Sequence, residues 1–192
     1  MRLIDTHSHL FLEEFSEDLP QVIERARSAG ITHIFMPNID STTIDSMLSV
    51  CNTYNDYCFP MIGLHPTSVN ADYEKELEIV ARELRSFNKY IAIGEVGMDL
   101  YWDKTFLKEQ QIVLDKQINW ALEYDLPVVI HCRDAFGYIY NVLEPYKNTS
   151  LKGVFHSFTG TDDEAARILE FSGFLIGING VVTFKKSRLP EV

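Results

Sequence analysis

Leu3-Ile4-Asp5-Thr6-His7-Ser8-His9-Leu10 starts as an apolar strand and closes on two histidines one residue apart. Alternate side chains of a strand leave on opposite faces, so His7 and His9 share a face, with Asp5 beside them. Two imidazoles on one face at the C-terminal end of a strand can grip a divalent ion. A lone histidine reads more simply as a packed or solvated residue. What decides otherwise is that the same pattern, an apolar run closed by His or Glu, recurs along the chain.

The recurring runs fall at 3–5, 33–36, 61–64, 91–94, 128–130, 154–155 and 174–178. Helical periodicity fills the gaps at 19–29, 42–54, 73–87, 104–124, 135–143 and 163–171. Leu19, Val22, Ile23, Ala26 and Ala29 repeat at three- and four-residue spacing before Gly30 stops that helix. Asp40-Ser41 and Asp162-Asp163 supply residues suited to helix N-termini. Strands alternating with helices predict βαβ units and a parallel sheet. A repeat of roughly 20 to 35 residues predicts an α/β fold of the (β/α)8 TIM type, for which about 250 residues is typical. Seven of eight strands are accounted for, and an eighth falls due past Val192. With no linker-like segment, residues 1–192 read as one domain, truncated at its C-terminus. An open doubly wound sheet is the competing architecture, weakened because no Gly-x-Gly-x-x-Gly follows the first strand.

Composition narrows the partners. The chain is 46% hydrophobic, enough for a substantial core, and carries a net charge of −11. Such a charge opposes broad electrostatic binding to duplex DNA or an anionic membrane. Cys51, Cys58 and Cys132 have no framework spacing and read as free thiols in a reducing compartment. No apolar run is long enough to span a bilayer. A cytoplasmic protein is the expectation.

The residues closing the strands carry the chemistry. His7 and His9 close the first, His65 the third, Glu95 the fourth, His131 the fifth and His156 the sixth. Barrel enzymes build their sites at that rim. His33, at the other end of its strand, reads as structural. Neutral imidazoles bind borderline divalent ions, and a carboxylate is able to bridge two of them. Two metals about 4 Å apart can activate a hydroxide and stabilise the leaving oxygen of a phosphoester. Glu95 is the natural bridge, between His7 and His9 on one side and His131 and His156 on the other. Nitrogen-rich ligation favours Zn, Mn, Fe, Co or Ni over Mg. Cys132 faces away from His131 and is not a nucleophile. Tyr101-Trp102 follows the fourth strand at the rim and could stack on a base.

Five motifs then carry a resemblance: Asp5-Thr6-His7-Ser8-His9-Leu10, Gly63-Leu64-His65-Pro66, Gly94-Glu95-Val96-Gly97-Met98-Asp99, Ile130-His131-Cys132-Arg133-Asp134-Ala135 and His156-Ser157-Phe158-Thr159-Gly160. Together with Gly177-Ile178-Asn179-Gly180 and Thr183-Phe184-Lys185, the ordered set resembles the TatD family of metal-dependent deoxyribonucleases over the whole chain. The resemblance implies an amidohydrolase-type barrel hydrolysing DNA phosphodiesters, exonucleolytically on single strands or frayed ends, with two divalent ions (Zn, Mn or Mg, with Zn or Mn preferred). It makes His7 and His9 ligands of one metal, Glu95 the catalytic bridge, and His131 and His156 ligands of the other. His65 and Arg133 would face the substrate phosphate. The family also uses an Asp in a Thr-Asp-[Ser/Thr/Ala]-Pro motif as the general base. Nothing in the chain matches it, so that Asp is expected after residue 192. Two other readings stay open: a related hydrolase of amides, lactones or phosphotriesters, and a catalytically impaired metal-binding fragment. No Lys lies between Ile91 and Tyr101 to bridge metals in modified form, which favours the nuclease.

Overall fold

The computed structural model describes residues 2–86 and 89–192. Its strands are β1 (Leu3–Asp5), β2 (Ile31–Met36), β3 (Cys58–Pro60), β4 (Ile93–Asp99), β5 (Val128–Arg133), β6 (Gly153–Phe155) and β7 (Phe174–Ile176). The helices between them are α1 (Leu19–Ser28), α2 (Ile44–Thr53), α3 (Tyr73–Ser86), α4 (Leu107–Glu123), α5 (Phe136–Leu143) and α6 (Asp162–Leu169). Every strand pairing is parallel, in the orders β1-β2-β3 and β4-β5-β6-β7. One bridge, Ile62 with Ile93, joins the two sheets, supported by hydrogen bonds from Ile91 N to Pro60 O (3.0 Å) and from Gly94 N to Ile62 O (2.8 Å). The result is a curved parallel wall in chain order with helices outside, an α/β barrel that is not closed. Among the described residues no pairing joins β7 to β1.

Helix periodicity explains the layering. α3 buries Leu77, Val80 and Leu84, three residues at helical spacing, and turns Glu74 and Glu78 outward. α4 buries a broader stripe that includes Gln110 and Gln117 as well as Val113, Leu114 and Ile118. β4 is buried along its whole length, as the central strand of a two-faced wall must be. Thr161 and Glu164 form a capping box that starts α6.

Several boundaries differ from those read in the sequence. The third strand is Cys58–Pro60, not 61–64, because side-chain amides take over the backbone groups that follow. Asn38 Nδ2 donates to Gly63 O (2.9 Å), and Gln117 clasps Leu64 by accepting from its N (2.7 Å) and donating to its O (3.2 Å). β4 and β5 run past the apolar stretches at 91–94 and 128–130, since Val96, Gly97, Met98 and Asp99 pair with Ile130, His131, Cys132 and Arg133. Glu95 and His131 therefore lie within strands rather than beyond them. β7 stops at Ile176 instead of 178. α4 begins at Leu107 rather than 104, after a turn in which Thr105 N donates to Asp103 Oδ1 (2.8 Å). A 3-10 turn, Ser41–Thr43, takes up the start expected of α2. The expected end of α3 at Phe87 lies outside the described residues.

Candidate metal centre

Glu95 is the centre of the site. It is 3% exposed, and its two carboxylate oxygens divide the histidines between them. Oε2 lies 3.0 Å from His7 Nε2 and 3.6 Å from His9 Nε2. Oε1 lies 3.0 Å from His131 Nδ1, 2.9 Å from His156 Nε2 and 3.6 Å from His65 Nε2. The five histidines that the sequence marks at the rim thus meet at one carboxylate. His33 stands apart, with Nδ1 3.0 Å from Thr32 Oγ1 and its ring against Phe59.

Backbone geometry brings these groups together. Gly97, opposite His131 in the β4–β5 pairing, has a φ of 134°, and a Cβ there would stand 2.0 Å from His131 O. Only glycine lets β4 pass this close to the strand that carries His131. Behind the site, Asn38 is fully buried, and its backbone donates to Gly94 O (3.1 Å) and accepts from Glu95 N (3.2 Å). His9 Nδ1 is 3.1 Å from Pro37 O, which aims Nε2 at the carboxylate. Thr67 holds His65 in the same way, with Oγ1 2.7 Å from its Nδ1.

Asp99 completes the cluster, and sequence reasoning quoted it only as part of a motif. Its Oδ2 is 2.9 Å from His131 Nε2, so His131 lies between two carboxylates. The available signal was periodicity: residues four apart on a strand share a face, so Asp99 follows Glu95 onto the site. Gln110 fixes Asp99 from behind by accepting from its N (3.0 Å) and donating to its O (3.2 Å).

Arg133 ends β5. Its guanidinium carbon stands 3.8 Å from the ring centre of Tyr101 and 5.4 Å from that of Trp102. It is therefore held at the rim by aromatic faces.

The electrostatics fit a cation. Burial alone would raise the Glu95 pKa, but hydrogen bonds from His131, His156, His65 and His7 outweigh it and hold the carboxyl well below its ordinary range. Burial lowers the His7 pKa against the pull of Glu95, favouring the neutral imidazole. Burial also opposes the His131 cation, but Glu95 and Asp99 prevail and raise its pKa. A neutral imidazole lone pair aimed at a carboxylate oxygen is repelled by it. Each nitrogen facing Glu95 must carry a proton or share a cation with it, and burial opposes loading several protons here. Divalent metal resolves the conflict, and nitrogen plus carboxylate is a suitable donor set for it. Two donor groups have ligand atoms within 4.8 Å of one another: His7, His9 and Glu95, and His65, Glu95 and His131.

A parallel α/β barrel with such a cluster at the C-terminal ends of its strands is the architecture of metal-dependent hydrolases. A family model described as TatD related DNase matches residues 4–192, and the chain belongs to that family of ester-bond hydrolases. The metal-dependent hydrolase YabD of Bacillus subtilis (strain 168) is 34% identical over 189 residues, covering 98% of this chain and 73% of YabD. The 3'-5' ssDNA/RNA exonuclease TatD of Edwardsiella piscicida is 30% identical, covering 98% of this chain and 72% of that protein. Among solved structures, YjjV, a TatD homolog from Escherichia coli K12, superposes with a TM-score of 0.90 at 31% identity. That match covers 99% of this chain and 73% of YjjV.

Proposed function

We propose that residues 1–192 form one hydrolase domain, carrying the metal ligands but not the general-base Asp expected after residue 192, of a protein that cleaves DNA phosphodiesters on single strands or frayed ends with two divalent ions. The observation that carries this reading is the division of the imidazoles between the two oxygens of Glu95. His7, His9 and Glu95 would hold one ion. Glu95, His131 and His156 would hold the other, with His65, whose Nε2 is 3.6 Å from Glu95 Oε1, beside them toward the phosphate. When bound, the ions supply Lewis-acid activation of a water and neutralise charge on the phosphate.

Glu95, ionised at neutral pH, fixes the spacing of the two donor sets. Asp99 holds the ring of His131 in place. Arg133 offers a guanidinium fork to a phosphate oxygen at the rim. In the reaction, the water gives up a proton as its oxygen bonds to phosphorus, the bond to the 3′ oxygen breaks, and the leaving oxygen takes up a proton. The net charge of −11 gives no basic face for a duplex, which supports a preference for flexible single strands that reach a local site. Among the described residues no helix is long and apolar enough to cross a membrane.

The test is a labelled oligonucleotide, single-stranded or duplex, incubated with the protein and Zn, Mn or Mg. Metal-dependent shortening of the single strand, slower on the duplex and stopped by a chelator, is expected. Hydrolysis of amides, lactones or phosphotriesters with no diester cleavage would overturn the reading in favour of the related hydrolases. Metal binding with no turnover on any substrate would leave a metal-binding protein without catalysis.

A further inference from the structure

We propose that a cavity beside His156 is a subsite for a nucleobase and that Gly137 keeps it open; this rests on the phosphodiesterase reading and says where the base of the substrate goes. The cavity, of about 600 Å³, lies between the first turns of α5 and α6. That volume is within the usual range for small-molecule sites, about 300–1,000 Å³. His156 forms part of its wall, and His156 Nε2 is 2.9 Å from Glu95 Oε1. The cavity therefore reaches the centre through His156, while Cys132, whose side chain leaves β5 on the face opposite His131, sets its inner wall toward the helices.

Its lining selects the ligand. Phe136 gives aromatic surface suited to a planar ring, the buried Phe155 and Phe158 underlie the apolar wall, and Asn141 adds an amide with both donor and acceptor. Asp134 and Glu164 also line it, and two carboxylates discourage a phosphate. Arg167, the cation of the lining, lies with its guanidinium carbon 3.6 Å from the ring centre of Tyr140. A neutral, hydrogen-bonding aromatic ring fits this lining, whereas an anion does not. A nucleotide with its phosphate at the metal centre would present such a ring.

Gly137 provides the independent observation. It is the second residue of α5, and a Cβ built on it meets nothing within 4 Å. The contrast with the strand glycines is clear: a Cβ on Gly94 would meet Val129 at 2.8 Å, and one on Gly97 would meet His131 O at 2.0 Å. Packing demands glycine at those two positions. At Gly137 it does not, and apart from proline glycine is the poorest helix former. Gly137 is exposed and part of the lining, so a side chain at 137 would stand in the open space at the mouth of the cavity.

The experiment compares wild type with Gly137→Leu and the milder Gly137→Ala. Calorimetric binding of thymidine 5′-monophosphate is measured first, since it needs no turnover. Wild type is expected to bind, Gly137→Ala more weakly, and Gly137→Leu at least tenfold more weakly, with thermal midpoints no lower than wild type. Hydrolysis of the p-nitrophenyl ester of thymidine 5′-phosphate is then set against methyl p-nitrophenyl phosphate, which has no base. The KM for the thymidine ester should rise at least tenfold in Gly137→Leu, while kcat/KM on the methyl ester stays within about twofold. Equal nucleotide binding by all three proteins, or none by wild type, overturns the subsite. Nucleotide binding that depends on Gly137, with neither ester cleaved by wild type, keeps the subsite and overturns the phosphodiesterase reading. Should Gly137→Leu fail to fold, Gly137→Ala decides by the same binding comparison.

Discussion

His7 and His156, just past the ends of the first and sixth strands, lie with their rings 3.8 Å apart and 6° from parallel, each aiming Nε2 at Glu95. One ring faces Oε2 and the other Oε1, so the stack marks the division between the two halves of the site. Glu95 is what both halves share. Changing Glu95 to Gln should therefore disturb both at once: metal content falls and metal-dependent diester cleavage drops by at least about 100-fold, since even an outer partner of a ligand is worth about 10- to 100-fold. Elemental analysis beside a rate assay checks this. Full activity in Glu95→Gln would rule out a bridging role.

Asp99 allows a finer test. It reaches the centre only through His131 Nε2, at 2.9 Å, in this structure. Asp99→Asn keeps the shape and an atom able to hydrogen-bond but removes the charge that helps raise the His131 pKa. Metal affinity is expected to fall about 10- to 100-fold, with the circular dichroism spectrum unchanged. Titration with a competing chelator measures it.

The contrast between Glu95 and Asp99 shows how far the sequence can be read. The strand–helix rhythm and the histidines at strand ends are local patterns, and they place His7, His9, His65, His131 and His156 at one rim. Which atoms meet depends on register between strands, which no local pattern carries. Asp99 faces His131 because β4 and β5 stay paired as far as Asp99 and Arg133, beyond both apolar runs. Gln110 and Gln117 look like ordinary polar helix residues, yet both are buried and bonded to strand backbone. Their partners are 11 and 53 residues away in the chain, so only the folded wall reveals them.

Gln117 bears on stability. It is fully buried and satisfies both the N and the O of Leu64, the residue before His65. Gln117→Leu fills the space but strands two backbone groups away from water, which costs roughly 1–3 kcal/mol for each group left unsatisfied. A loss of about 3 kcal/mol is expected from denaturant melts. A change under about 0.5 kcal/mol would mean that water or another group replaces the amide.

The cysteines set a pH dependence. Burial pushes the Cys51 and Cys132 thiols up to about 12 and Cys58 up to about 11 from an ordinary 9.0. A raised folded-state pKa means that the unfolded chain loses its thiol protons first. The associated stability is fully present below pH 9 and is lost as pH rises through 11 and 12. At pH 8 the native thiols should react with a disulfide reagent at least tenfold more slowly than in denaturant. Fast labelling of the native protein at that pH, mapped to Cys132, would show that this thiol is open to solvent as a thiolate.

The two end strands predict association. Among the described residues β1 pairs only with β2, and β7 only with β6. Phe174 packs on Phe155 and Phe171, so Leu175 turns to the opposite face, where it is 69% exposed. Ile4 on β1 is 52% exposed. Unpaired parallel edges flanked by apolar side chains invite pairing with another chain. Sedimentation of residues 1–192 alone should show a mass that rises with protein concentration. Leu175→Lys, which places a charge beside the β7 edge, should reduce that rise while changing stability by no more than about 0.5 kcal/mol, as expected for an exposed site. If Leu175→Lys associates as strongly as wild type, the β7 edge is not the surface responsible, and the same substitution at Ile4 separates the β1 edge from the rest of the surface.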